Sequence, residues 1–289
     1  MEGAVGADGA AASRIRVALF DLDDTLFAHR AAVDAAITRH RRELPGWSPA
    51  DDTAEARRWT ELEEHHYHRY LAGELDFLGQ RAARARDFAA PYGLVLDDPE
   101  LAETWFARYF ERYREAWRLH DDALACLDAL TRSAPDDVPR DGAAPDDIAP
   151  AGAASGSAAA AGAAPASAPL RIGIITNGEL DFQTRKIEQI ELTARVEHLV
   201  ASGDFGTTKP DPSIFRHAVE LFGVEPHEAA YIGDRFRTDA VGAADAGLTG
   251  VWLDRHGRAT DAERAEAAAR GIPILRSLAP LPQLLRSRL

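Results

Sequence analysis

The chain has 289 residues, 46% of them hydrophobic and 8% aromatic, enough to build one large domain or two modest ones around hydrophobic cores. A net charge of −14 repels nucleic-acid phosphates and anionic membrane surfaces, which argues against both as partners, while an anionic small molecule stays admissible where a local cation or a metal offsets the field. The single cysteine, Cys126, cannot close an intramolecular disulfide, which fits a reducing compartment.

Residues 1–13 are rich in Gly and Ala and carry Glu2 and Asp8, without a basic start or an apolar signal core, so a disordered tail is expected there. No stretch approaches the roughly 18–20 apolar residues of a membrane span, and the expected location is cytoplasmic. Ile15, Val17, Ala18, Leu19 and Phe20 read as a buried strand of a parallel sheet. It runs straight into Asp21-Leu22-Asp23-Asp24-Thr25-Leu26, where three carboxylates crowd one strand end. The carboxyl ends of strands are where ligands bind in an open α/β sheet, and carboxylates so close together call for a cation. A Mg2+ site with a reactive aspartate is the expectation.

From about residue 29 to 119 the pattern turns helical, with aromatic residues at helical spacing: Trp59, Leu62, His66 and Tyr70, then Trp105, Tyr109, Phe110, Tyr113 and Trp117. The second stripe is read as helical core. His65, His66 and His68 beside Glu63 and Glu64 resemble a metal cluster but are read as a solvated helix face. Arg81, Arg84 and Arg86 are read as surface charge, with substrate contact as the alternative. Cys126, in the pattern Leu124, Leu127, Leu130, is read as an inert core thiol.

Between Ser133 and Pro169 lie 37 residues, 15 of them Ala and 6 Pro, interrupted by Gly152, Gly156 and Gly162; disorder is expected. The segment joins a helix to a strand, on the face opposite the catalytic strand ends, and lengthening such a loop costs only about 2 kcal/mol. It is expected to be irrelevant to catalysis.

Beyond residue 170, apolar runs at 172–175, 198–201, 230–232 and 251–253 alternate with amphipathic segments, the signature of a parallel sheet with crossover helices. The expected fold is therefore α/β: a Rossmann-like, three-layer core at 14–28 and 119–289, interrupted after its first strand by an all-helical module at 29–118. Polar groups recur where these strands end. Thr176-Asn177-Gly178 follows the second, Lys209-Pro210-Asp211-Pro212 opens a helix with one of the chain's few lysines, and Gly233-Asp234 leads to Asp239.

Taken singly each is an ordinary turn or cap. In this order, Asp-x-Asp-x-Thr, Thr, Lys-Pro and Gly-Asp-x-x-x-x-Asp, the chain from about Arg14 to Leu253 resembles the haloacid dehalogenase-like hydrolase superfamily, in the subfamily whose helical cap lies between the first and second motifs. The resemblance implies Asp21 as nucleophile, Asp23 as acid and base toward leaving alcohol and water, and Lys209 as the charge-balancing cation. It implies Thr25 orienting the turn at the substrate, and Thr176, backed by Asn177, donating to a phosphoryl oxygen. Mg2+ would be held by Asp21, the Asp23 carbonyl and Asp234, with Asp239 holding metal-bound water or bracing the lysine. Asp24 receives no role, and Arg235 and Arg237 either shape the phosphate pocket or support the fold. The acid/base task calls for an Asp23 pKa that its surroundings raise. Its presence favours phosphate-ester cleavage over dehalogenation, because halide departs without a proton. The substrate is expected to be a small phosphorylated metabolite of the nucleotide or sugar-phosphate class, acted on by a monomer or homodimer. A phosphomutase and a non-catalytic phosphate-binding protein are the alternatives.

Overall fold

The computed structural model describes residues 14–132 and 169–287. The expectations of a disordered tail and, but for Pro169, of a disordered insert without catalytic role lie outside the described residues.

Six parallel strands form one sheet: β1 (Val17–Phe20), β2 (Arg171–Thr176), β3 (His198–Ala201), β4 (Ala229–Gly233), β5 (Thr249–Leu253) and β6 (Ile274–Leu275). Their spatial order is β3-β2-β1-β4-β5-β6, a Rossmann-like arrangement. The chain builds outward from β1 to β3, then returns to place β4 on the other side of β1. That reversal leaves a crevice at the carboxyl ends of β1 and β4, where a parallel sheet has room for a ligand.

The strand sequences follow from burial on both faces. Ala18 and Phe20 of β1 join one hydrophobic cluster, and Val17 and Leu19 join another, as the two-residue period of a strand requires. On the second face α8 (Pro212–Leu221) supplies Ile214, Phe215, Ala218 and Val219. Asp211 caps this helix by accepting from the Ser213 N–H at 2.8 Å, and Pro212 takes the first helical position. The remaining core helices are α5 (Ala123–Thr131), α6 (Leu180–Gln189), α7 (Ser202–Phe205), α9 (Gly242–Asp245), α10 (Asp261–Ala269) and α11 (Leu281–Arg286). Cys126 on α5 is buried, and burial pushes its thiol up to about 12, so it is an unreactive core residue.

Between β1 and α5 the chain forms α1 (His29–Arg41), α2 (Asp52–Leu71), α3 (Phe77–Ala89) and α4 (Pro99–Glu115). Asp76 and Asp98 cap α3 and α4, and Pro99 again stands at the first helical position. Trp59, Phe88, Trp105 and Tyr109 pack together inside this helical insertion, with Trp59 and Tyr109 ring centroids 4.5 Å apart. The same hydrophobic cluster continues without a break to Phe20, Leu22 and Phe27 beside β1. Phe27 stacks edge-on against Tyr113 and Trp117, so the point where the chain leaves the sheet and the point where it returns share one aromatic junction. No helix among the described residues is long and apolar enough to cross a membrane.

Candidate active site

Strand register brings the polar strand ends to one rim. Phe20 pairs with Ile174 on one side and Ile232 on the other, so Asp21 stands one residue short of the level of Thr176 and Asp234. The Asp21 N–H donates to the Ile232 carbonyl at 2.8 Å and fixes that level. The chain then turns back on itself: the Leu26 and Phe27 N–H groups both donate to the Leu22 carbonyl. Asp24 adopts a left-handed conformation at φ 59°, which an aspartate tolerates better than most residues. Its carboxylate accepts from the Arg30 N–H at 2.7 Å, so the residue left without a role ties the turn to the start of α1.

Lys209 is the hub. Its Nζ donates to Asp21 Oδ1 at 2.6 Å, Asp239 Oδ1 at 2.8 Å and the Tyr231 hydroxyl at 2.7 Å. Burial alone would strip the ammonium of its proton, but Asp21 and Asp239 outweigh that and raise its pKa. Asn177 fixes the lysine from behind, holding both its N–H and its carbonyl. Thr176 is buried at the end of β2 beside this clamp. Asp239 is spent on support: Oδ1 meets Lys209, and Oδ2 accepts from the Arg235 N–H at 2.9 Å. Gly233 makes room for it, because a methyl group at that position would lie 2.3 Å from the Asp239 Cγ. Of the two roles expected for Asp239, bracing the lysine is the one its contacts fill.

Thr25 is buried, with its hydroxyl unpartnered among the described residues and its carbonyl accepting from Arg255 Nη2 at 2.8 Å. It is part of the turn's scaffold. Arg255 in turn pairs with Asp122, tying the turn to the start of α5.

Carboxylate oxygens of Asp21, Asp234 and Asp239 all lie within 4.8 Å of one another. Burial raises the Asp21 pKa, with Asp239 and Asp23 adding to the effect and Lys209 opposing it. Burial also raises Asp234 well above the carboxylate range, reinforced by Asp21, Asp239 and Asp24. Two carboxylates that resist ionisation beside a third are short of positive charge. An all-oxygen donor set with this deficit fits Mg2+. The Asp234 carboxylate and the second carboxylate oxygen of Asp21 make no hydrogen bond among the described residues, which leaves them available to such an ion; the Asp234 carbonyl accepts from Trp252 Nε1 at 3.0 Å.

Asp23 belongs to a separate group. Its Oδ1 accepts from Lys186 Nζ at 2.6 Å, and His29 Nδ1 lies 3.9 Å away. Burial would raise its pKa as expected from sequence, but Lys186, His29 and Lys209 together pull it below the ordinary value. The expected direction is therefore reversed, because a buried cation that the motifs do not include reaches it from α6. Behind His29 a polar string enters the helical insertion. His29 Nδ1 meets the Tyr113 hydroxyl at 2.8 Å, and Nε2 lies 3.9 Å from Glu63, which pairs with Arg84 and Arg30. Arg84 is thus a buried, paired residue and neither a surface charge nor a free substrate contact. Of the histidines, His65 and His68 are exposed as expected, whereas His66 is buried against Asp87 at 2.9 Å.

Lys186 and Tyr231 join the site from outside the sequence motifs. Tyr231 sits mid-strand in an apolar run, where nothing separates it from core. For Lys186 a signal existed: only two of the chain's 33 basic residues are lysines, and Lys209 is the other.

Residues 156–247 match the family model for haloacid dehalogenase-like hydrolase. Among curated proteins, the chain is 42% identical over 94 residues to phosphoserine phosphatase of Thermus thermophilus, covering 32% of this chain and 38% of that protein. It is 40% identical over 83 residues to glyceraldehyde 3-phosphate phosphatase of Pyrococcus abyssi, covering 29% and 35%. It is 37% identical over 90 residues to N-acylneuraminate-9-phosphatase of Mus musculus, covering 31% and 36%. The chain thus spans little more than a third of the length of these relatives. Whole-chain likeness comes from solved structures at low identity. Magnesium-bound YfnB of Bacillus subtilis superposes on 94% of this chain and 99% of its own with a TM-score of 0.66 at 18% identity. L-2-haloacid dehalogenase of Xanthobacter autotrophicus covers 94% and 99% with a TM-score of 0.59 at 21% identity. The fold is common to phosphatases and dehalogenases and does not choose between them.

Proposed function

We propose that this chain, a member of the haloacid dehalogenase-like hydrolases, is a Mg2+-dependent phosphatase that cleaves a small phosphate monoester through an aspartyl-phosphate intermediate, with the helices between β1 and α5 serving as a cap. The observation that carries this reading is Asp23: a carboxylate two residues beyond Asp21, on the open side of the site, paired with a cation of its own and separate from the Lys209 cluster. A halide needs no such group; a departing alcohol does. The curated relatives are named for phosphoserine, glyceraldehyde 3-phosphate and N-acylneuraminate 9-phosphate, which supports a small phosphorylated metabolite as substrate. The composition supports a cytoplasmic location.

In this reading Asp21 attacks phosphorus. As the bond from phosphorus to the ester oxygen breaks, its electron pair stays on that oxygen, which takes a proton from Asp23. The negative charge of the bound ester raises the proton affinity of Asp23 against the pull of Lys186. Water then attacks the phosphorus of the aspartyl phosphate, Asp23 accepts its proton, and the bond from phosphorus to the Asp21 oxygen breaks to release inorganic phosphate. Lys209 balances charge on Asp21, and the Thr176 hydroxyl donates to a phosphoryl oxygen. Asp21, the Asp23 carbonyl and Asp234 would hold Mg2+, which supplies charge neutralisation at the transferring phosphoryl group.

Release of inorganic phosphate from p-nitrophenyl phosphate tests the reading. Turnover is expected with Mg2+, and none is expected in EDTA or in Asp21→Asn and Asp23→Asn. Full activity in EDTA, or in Asp21→Asn, would overturn it.

A further inference from the structure

We infer that Lys186 is a positioning residue for proton transfer by Asp23: it ties down Oδ1 and leaves Oδ2 to serve the leaving group. The inference rests on the phosphatase reading above and assigns a part to a residue outside the sequence motifs.

Lys186 projects from α6 with its side chain 1% exposed and its ammonium turned to Asp23, which is itself 32% exposed. The ammonium is 2.6 Å from Asp23 Oδ1, and no other hydrogen bond is made by either group among the described residues. It is held in place by rings on three sides: the Phe27 centroid lies 4.7 Å away, Phe182 5.0 Å and Trp117 6.0 Å. Phe27 and Trp117 flank the helical insertion, between β1 and α1 and between α4 and α5, so the lysine is fixed to the base of the insertion as well as to α6. Aromatic faces attract a cation without consuming its hydrogen-bonding capacity, which leaves the ammonium to be directed by Asp23.

The choice of residue type points the same way. Of the chain's 33 basic residues only two are lysines, Lys186 and Lys209, and both end on aspartates of the first motif. A lysine is a compact point charge, where arginine presents a broad planar fork that would engage both carboxylate oxygens. A fork at position 186 would occupy the oxygen needed for the proton. The two lysines also keep Asp21 and Asp23 apart: each carboxylate has its own cation, so neither is drawn into the other's pairing.

The test compares two aryl esters of similar shape, p-nitrophenyl phosphate and phenyl phosphate, in the full-length wild type and in Lys186→Met. Phenoxide is the far more basic leaving group and depends more on a proton donated in the transition state. The readout is kcat/KM, which covers the steps up to departure of the alcohol. Lys186→Met, whose chain still fills the aromatic surroundings, is expected to lower kcat/KM for phenyl phosphate about 10- to 100-fold more than for p-nitrophenyl phosphate. Equal losses on the two esters, or no loss on either, would overturn the positioning role. Should Lys186→Met fail to reach the wild-type melting curve, Lys186→Leu, which likewise has no donor for Asp23, carries the same comparison with the same expectation. A wild type inactive on both esters would instead remove the phosphatase reading itself, so the two failures are distinguishable.

Discussion

Asn177 and Lys209 grip each other twice: the Lys209 N–H donates to the Asn177 side-chain oxygen at 2.9 Å, and the Asn177 amide nitrogen donates to the Lys209 carbonyl at 3.1 Å. The pair bridges the end of β2 and the loop that carries the ammonium to Asp21. Asn177→Ala removes both bonds at once and frees the backbone that sets the position of Nζ. The expected outcome is a fall in kcat of about 10- to 100-fold, with a stability loss of about 1–3 kcal/mol for the unpaired backbone groups. Steady-state kinetics beside urea unfolding check the two effects separately, and unchanged kcat in a folded Asn177→Ala would remove the clamp from the catalytic account.

Mg2+ is expected to stabilise the protein as well as activate it. A ligand bound only by the folded state adds about 2.7 kcal/mol at 100 times its dissociation constant. A melting curve that rises with Mg2+ concentration is therefore expected in the wild type. Burial, reinforced by Asp21, Asp239 and Asp24, holds Asp234 well above the carboxylate range, so Asp234→Asn is expected to raise the metal-free melting temperature slightly while abolishing most of the Mg2+ response. A full Mg2+ response in Asp234→Asn would place the ion elsewhere.

How much of this was legible beforehand depends on the range of each interaction. The strands were visible because burial on both faces leaves unbroken apolar runs, as in Val17 to Phe20 and Ala230 to Ile232. Asp21, Lys209, Asp234 and Asp239 stand out through the order of their motifs, which resembles that of the haloacid dehalogenase-like hydrolases, and the structure brings them together. Lys186 was not, since it lies within an ordinary amphipathic helix and meets Asp23 across 163 positions of chain. The same holds for Arg84: on a helix it reads as surface charge, and only the fold sets it opposite Glu63 with the Trp59 ring centroid at 4.6 Å. The Asp23 pKa lies below the ordinary value, opposite to the sequence expectation, for this reason: a local pattern carries the burial of a carboxylate but not its distant partner.

The Glu63–Arg84 pair sets an acid sensitivity of the helical insertion. Burial would raise the Glu63 pKa, but Arg84, His29 and Arg30 together bring it from an ordinary 4.5 down to about 2. A carboxylate depressed in the folded state stabilises above its unfolded pKa and loses that contribution as pH falls toward the folded value. The contribution is about 3 kcal/mol at neutral pH and is lost between roughly pH 4.5 and pH 2. Glu63→Gln leaves Arg84 buried without its anion and is expected to cost about 3–5 kcal/mol at pH 7. Replacing both, as Glu63→Gln with Arg84→Met, is expected to recover much of that loss. Chemical denaturation of the single and double variants at pH 7 measures both, and a double variant no better than Glu63→Gln would show that the pair is not the source.

His40 sets a second and separable acid sensitivity. The ring is buried edge-on against Trp105 at 4.3 Å, its Nδ1 accepts from Arg112 Nη1 at 2.8 Å, and Nε2 is buried without a partner among the described residues. Glu43 pairs with Arg112 and offsets part of its charge. Burial, then Arg112 and Arg108, hold the imidazole down from an ordinary 6.5 to about 3. The folded state therefore keeps the ring neutral where the unfolded chain has already protonated it. Below about pH 6.5 the unfolded state binds the extra proton, and stability falls with a slope approaching 1.4 kcal/mol per pH unit, at most about one proton's worth. The decline levels off near pH 3, once the folded ring protonates too. Because Glu63 takes effect only below about pH 4.5, the interval from about pH 6.5 to 4.5 isolates His40 among these two. Burial holds His66 and His120 below the ordinary histidine value too, so His40→Gln is expected to lessen the slope over that interval without removing it, measured as urea midpoints at half-unit steps of pH. The same slope in His40→Gln as in the wild type would mean that another group takes up the proton.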